Sequence, residues 1–126
     1  MKKLSKNQII CLQDILIDRY GGIHGIRDEN LLDSAVNSPF QTFSGQDLYP
    51  DIIEKAARLG FGLITAHAFI DGNKRIGTHA MLIFLKLNGI SVNYSDEEII
   101  SLILGIASGT SDCSVLSDWL KKHSSQ

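Results

Sequence analysis

The sequence predicts an all-α fold: one domain over residues 1–126, built as a bundle of about six helices. Three observations predict it. Apolar residues recur at steps of three and four through most of the chain, capping residues with Gly or Pro punctuate those runs, and strand-like alternation is almost absent. A chain of this length buries a core without disulfide or metal support.

Ser5-Lys6-Asn7-Gln8 has the spacing of a capping box. Ile9, Leu12, Ile15 and Leu16 continue it as a helical stripe that should stop before Gly21-Gly22. The loop from Gly21 to Arg27 holds three glycines, so its backbone can take positive φ or approach something closely. Asp28 then reads as the N-cap of a helix carrying Leu31, Leu32, Ala35 and Val36 and ended by Pro39. Phe40–Tyr49 has no helical period. It reads as a short hairpin or flap carrying substrate contacts, or else as a connector with Phe40 and Phe43 plugged into the core.

Pro50-Asp51 opens the next helix, whose stripe runs Ile53, Ala56, Gly60, Leu63 and His67. Ala56, Ala57, Gly60 and Gly62 are small and suit a central helix with close neighbours. Each glycine weakens an isolated helix by about 1 kcal/mol relative to alanine, so this helix should depend on burial. After a turn at Ile70–Asn73, the stripe Ile76, Ala80, Ile83, Phe84 and Leu87 traces a helix that Asn88-Gly89 ends. Ile90–Tyr94 is the one strand candidate. Ser95-Asp96-Glu97-Glu98 gives a second capping box ahead of Ile99, Ile100, Ile103, Leu104 and Ala107, after which Gly105 and Gly109 loosen the chain. Val115, Leu116, Trp119 and Leu120 mark a last helix before a polar tail.

Composition bounds the function. Hydrophobic residues at 44% and charged residues at 21% match globular averages and argue against wholesale disorder. A formal charge of −2 argues against a dedicated nucleic-acid binder, while Lys74, Arg75 and Lys86 supply a local basic patch. Cys11 and Cys113 lack a CxxC partner, which gives neither a zinc frame nor a disulfide scaffold and suits a reducing cytoplasm. The apolar stretch after Met1-Lys2-Lys3 is broken by Gln8, Gln13 and Asp14, so it reads as neither a signal peptide nor a membrane span.

The chemistry concentrates in His67-Ala68-Phe69-Ile70-Asp71-Gly72-Asn73-Lys74-Arg75, a helix end, a tight turn and a helix start. A helix start leaves N–H groups unpaired at a positive dipole end. Gly72 allows close approach, and Asn73, Lys74 and Arg75 add donors and charge there, which makes a phosphate cradle. A carboxylate beside phosphates, as at Asp71, makes sense when Mg²⁺ bridges the two. Histidine ordinarily titrates near neutrality, so His67 suits a base that accepts a hydroxyl proton. Base, metal carboxylate and anion hole together form a phosphoryl- or nucleotidyl-transfer constellation.

The segment resembles the signature of the Fic/Doc (Fido) superfamily, H-x-F-x-(D/E)-(G/A)-N-(G/K)-R, at His67, Phe69, Asp71, Gly72, Asn73, Lys74 and Arg75. The chain is most similar to the death-on-curing (Doc) toxin family. The resemblance extends to Arg19-Tyr20-Gly21-Gly22, Gly25, Asp28, the helix from Asp51 to the motif, and Asn88-Gly89. It implies that His67 is the general base, Phe69 a buried anchor of the loop, and Asp71 the Mg²⁺ carboxylate. It also implies that Gly72 and Asn73 shape the anion hole and that Lys74 and Arg75 contact the nucleotide phosphates. Phe40–Gly45 matches where the family places a flap that docks the target segment.

Lys74 stands where the adenylylating Fic branch has glycine, and Thr78 where that branch usually has a second arginine; both fit the Doc branch. That branch implies a kinase moving phosphate from ATP or another nucleoside triphosphate to a threonine of elongation factor Tu, which blocks translation. It further implies the toxin of a type II toxin–antitoxin pair, cytoplasmic, with no membrane and no direct nucleic-acid partner. The expected partner is an antitoxin that lays an amphipathic helix into an apolar groove. Three alternatives stand beside it: AMP transfer, an inactive antitoxin-binding module, and a zinc hydrolase using His67, Asp71 and His79. His79 reads as a further phosphate contact or a partly exposed helix residue, and His24 and His123 suggest no function.

Overall fold

The computed structural model describes residues 1–125; Gln126, the end of the predicted polar tail, lies outside them. Six helices follow one another as α1 (Lys6–Tyr20), α2 (Glu29–Asn37), α3 (Ile52–Ala66), α4 (Asn73–Leu87), α5 (Asp96–Ser108) and α6 (Cys113–His123). Side chains set where five of them begin. Ser5, Asp28, Asp51, Ser95 and Asp112 each accept an N–H of the following turn. Such a cap contributes about 1 kcal/mol. At α4 the N-cap is Gly72, which has no side chain to offer.

The fold is all-α, as the periodicity predicts, and α3 is the central helix, touching α2, α4, α5 and α6. Its small residues make that position possible. A Cβ on Gly60 would stand 2.8 Å from Met81 Sδ, and one on Gly62 would stand 3.3 Å from the Ala35 Cβ. On α4, a Cβ on Gly77 would lie 3.0 Å from the Gly60 carbonyl oxygen, so α3 and α4 meet backbone to backbone. Leu63, Ile64, Met81, Phe84, Leu116 and Leu120 fill the core around this contact. Burying each such side chain stabilises the fold by roughly 1.5–3 kcal/mol, which offsets the glycines' helix penalty.

Several faces differ from the predicted stripes. On α1 the buried strip is Ile9, Gln13, Leu16 and Ile17, while Ile15 is exposed, because α1 docks through a narrow strip that Ile15 misses. On α4, Met81 and Leu85 point inward and Leu87, the last helical residue, is exposed. On α5, Ile99, Ile103 and Ile106 reach the core, whereas Ile100 and Leu104 stay 57% and 52% exposed. Val115 on α6 is exposed as well. Gly105 does not loosen the chain: α5 runs through it and ends at Gly109. Pro39 lies two residues beyond the end of α2, in a 3₁₀ turn over Ser38–Phe40. The second capping box is half made, since Ser95 Oγ accepts from Glu98 N but bonds the Glu98 side chain itself.

The irregular stretch after that turn is a hairpin, β1 (Thr42–Phe43) against β2 (Gln46–Asp47), closed by Ser44 and Gly45 at positive φ. Phe40 packs edge-on against Phe84, while Phe43 is 75% exposed at the hairpin. Lys55, only 3% exposed, donates to Asp47 Oδ2 and to the Tyr49 carbonyl and so pins the hairpin base to α3. The strand candidate after α4 forms β3 (Ser91–Val92), antiparallel to β4 (Ser124–Ser125) in the polar tail. No described helix is long and apolar enough to cross a membrane.

Candidate functional site

His67 ends α3 in the left-handed conformation, φ 52° and ψ 44°, a state that costs a non-glycine residue about 1–2 kcal/mol. The chain then reverses within a few residues into α4, and most of the polar backbone groups of the turn are tied. Ala68 O accepts from Arg27 N and Asp28 N, Ile70 N donates to Gly25 O, and Ile26 bridges Phe69. The glycine-bearing loop before α2 thus lies alongside the motif as a splint. Asn73 completes the lock: its side chain accepts from Phe69 N at 3.1 Å and donates to Phe69 O at 3.0 Å. Phe69 itself is buried.

Asp71 is held by both carboxylate oxygens. Oδ2 accepts from Ile23 N at 3.1 Å and Oδ1 from Gly72 N at 2.8 Å, while Gln13 Nε2 donates to the Asp71 carbonyl at 2.8 Å. Gly22 permits the approach: it sits at φ 124°, and a Cβ there would stand 2.8 Å from Asp71 Oδ2. Gln13 is only 1% exposed, so a polar side chain that interrupts the apolar stripe of α1 is spent on the motif.

The start of α4 remains open. Gly72, at φ 72°, offers no capping side chain, and among the described residues the N–H groups of Asn73, Lys74 and Arg75 have no hydrogen-bond acceptor. These residues line a cavity of about 410 Å³ together with Asp71, Thr78 and His79, and Ile99, Ile100, Ile103 and Leu104 of α5 form its opposite, apolar wall. One end of the cavity therefore offers amides and cations and the other a hydrocarbon surface. Arg75 lines the cavity while its Nη1 donates to Leu16 O and Gly21 O, and its guanidinium lies over the Tyr20 ring. Burial first, and the Arg75 charge second, hold the His79 imidazole below its ordinary value of 6.5.

The structure thus gathers Asp71, Gly72, Asn73, Lys74 and Arg75 on one cavity. His67 is not part of that lining; it is exposed at the other flank of the same turn, and among the described residues its ring has no partner. Lys86 does not join the basic patch, since the 12 residues separating it from Lys74 span about 18 Å of helix. His67, Asp71 and His79 do not converge: among the described residues no three His, Cys, Asp or Glu side chains form a metal-binding group, so the zinc-hydrolase reading lacks a donor set. His24 does have partners, Asp14 and Asp18, whose carboxylates raise its pKa, and His123 bonds Glu98 and stacks on Trp119. Sequence reasoning missed Gln13, the Ile23 amide and Arg27 as supports of the motif. Gln13 alone carried a signal, as a polar residue inside an apolar stripe.

Known proteins are similar to this chain in sequence. A sequence model of the Fic/DOC family matches residues 3–85. The chain is 29% identical over 122 residues to "Protein kinase doc" of Escherichia phage P1, an alignment covering 97% of this chain and 95% of that protein. It is 44% identical over 73 residues to "Toxin Doc" of Mycolicibacterium smegmatis, covering 58% of this chain and 56% of that one.

Proposed function

This chain belongs to the Fic/DOC family, and from that premise we propose that it is a Doc-type toxin, a phosphotransferase acting from a nucleoside triphosphate on a protein hydroxyl. The observation that carries the reading is the uncapped start of α4, with its free amides and Lys74 at the polar end of a cavity whose far wall is apolar. A nucleotide has that same polarity. Its phosphates seat on the Asn73–Arg75 amides, where the helix dipole and Lys74 stabilise them, and its base lies against Ile100 and Leu104.

In this reading His67 accepts the proton of the target hydroxyl as the hydroxyl oxygen bonds to the terminal phosphorus. The bond from that phosphorus to the bridging oxygen breaks, and the nucleoside diphosphate leaves. Phe69 and the Asn73 side chain keep the turn rigid, so imidazole and cradle hold their separation. Mg²⁺ fits what Asp71 offers. The carboxylate is fixed by two N–H donors, retains lone pairs, and lines the cavity; Mg²⁺ is commonly held by one or two carboxylates plus phosphates and water. When bound, it neutralises charge on the transferring phosphate.

We assign ATP as the donor, a threonine of elongation factor Tu as the acceptor, the cytoplasm as the compartment, and a helical antitoxin as the partner that silences the enzyme. The "kinase" and "toxin" names of the two relatives support phosphate transfer and a toxin role. Incubating the protein with ATP, Mg²⁺ and elongation factor Tu, then weighing the acceptor, tests it. An added phosphate that disappears with His67→Ala is the expected result. An added AMP replaces the reading with adenylylation, and growth arrest that survives His67→Ala replaces it with an inactive binding module.

A further inference from the structure

α3 ends without help from its own backbone. In α1, α2, α4 and α5 the cap residue's N–H donates back into the helix, but at His67 no such bond forms among the described residues. The last carbonyls of α3 are instead taken by one side chain from the neighbouring loop. Arg27 donates Nε to His67 O at 2.6 Å and Nη2 to Ala66 O at 3.3 Å. A planar guanidinium can span two adjacent carbonyls this way, and a cation at a helix C-terminus also meets the negative end of the dipole. The main chain at the same position holds the next peptide, Arg27 N donating to Ala68 O at 2.8 Å.

The imidazole of His67 has no hydrogen-bond partner among the described residues, so the backbone angles of its own residue set the Cα–Cβ direction about which χ1 and χ2 turn the ring. Those backbone angles lie in the left-handed region, which a non-glycine residue leaves readily once its peptide is released. We infer that Arg27 is a positioning residue that fixes the Cα–Cβ direction from which the His67 imidazole reaches out, by clamping the carbonyls of Ala66 and His67. The inference rests on the phosphotransfer reading for its catalytic consequence. It is specific to the base, because Asp71 is fixed independently by Ile23 N, Gly72 N and Gln13. Removing the clamp therefore impairs proton acceptance while the nucleotide cradle stays intact.

The test uses the full chain carrying Arg27→Gln and Arg27→Lys. In histidine-labelled protein, NMR should find the His67 ring signals shifted and broadened in Arg27→Gln and partly restored in Arg27→Lys. The ring signals of His79 and His123 should stay in place. With ATP, Mg²⁺ and elongation factor Tu, kcat for Arg27→Gln should fall about a hundredfold, the scale of an ångström-sized misplacement, with KM for ATP unchanged. Wild-type His67 signals in Arg27→Gln, or a loss that appears as a raised KM for ATP, overturn the inference. If Arg27→Gln does not fold, Arg27→Lys carries the test: one ammonium nitrogen in place of the planar two-nitrogen fork predicts a loss of about tenfold and a displaced ring signal, and wild-type behaviour in both overturns it. Should the wild type transfer nothing to elongation factor Tu, the phosphotransfer reading fails while the ring signals still judge Arg27.

Discussion

Two helix starts, those of α4 and α5, are built in opposite ways although both helices line the same cavity. At α5, Ser95 accepts from Glu98 N, and Asp96, Glu97 and Glu98 bring negative charge to the positive end of the helix. At α4 no side chain caps the first turn, and Lys74 and Arg75 add positive charge to an end already positive. The first arrangement satisfies the helix. The second leaves it short of roughly a few tenths of a kcal/mol for the missing side-chain cap, with further unfavourable dipole interactions, and an anion is what would satisfy it. Burial against α3 keeps α4 helical in the meantime, as Ile76, Gly77, Ala80, Met81, Phe84 and Leu85 are all inside. The comparison teaches that local stability was given up at one helix start and kept at the other.

The largest effect tests whether the chemistry belongs to the α4 flank at all. His67→Ala should lower phosphate transfer about a thousandfold, within the usual range for a general base, with ATP affinity retained. Steady-state kinetics alongside calorimetric ATP titration checks it, and equal losses in both would place His67 in the cradle instead. Next, Lys74→Glu makes the start of α4 resemble that of α5. ATP affinity should fall about tenfold or more, while stability rises by about 0.3–1 kcal/mol because the new acid suits the helix dipole. Urea unfolding beside the same titration reads both; a joint fall would contradict the contrast between the two starts.

A smaller change comes from the other side of the comparison. Ser95→Ala removes the α5 cap and should cost about 1 kcal/mol in urea unfolding, with ATP affinity unaffected. The smallest effect reports burial first and the positive charge at α4 second. His79, one turn after Arg75, has its pKa lowered by burial and by that charge, so folding favours its neutral form. Its contribution is present above the ordinary imidazole value of 6.5 and is lost as pH falls from there through the lowered folded value. His24 moves the other way: its raised pKa gives stability that is complete below 6.5 and fades as pH rises through the raised value. Urea melts between pH 6.5 and 5 therefore isolate His79, and His79→Gln should show a shallower loss over that window.

Part of the local structure was legible in the sequence. Ser5, Asp28 and Asp51 cap helices because the N–H they accept lies three residues away. The small residues of α3 marked it as central, and the glycine, lysine and arginine at the start of α4 marked an uncapped, basic helix end. The supports of that end were not legible. Gln13 reaches Asp71 across 58 residues, Ile23 N reaches its carboxylate across 48, and Arg27 reaches His67 across 40. Ile100 and Leu104 carried the same apolar signal as Ile99 and Ile103, and all four line the cavity, yet the first two stay exposed while the others are buried in the core. Periodicity tells which residues share a face, because 3.6 residues make a turn. Which element covers that face, and which carbonyl waits for a distant side chain, is decided only when the helices pack.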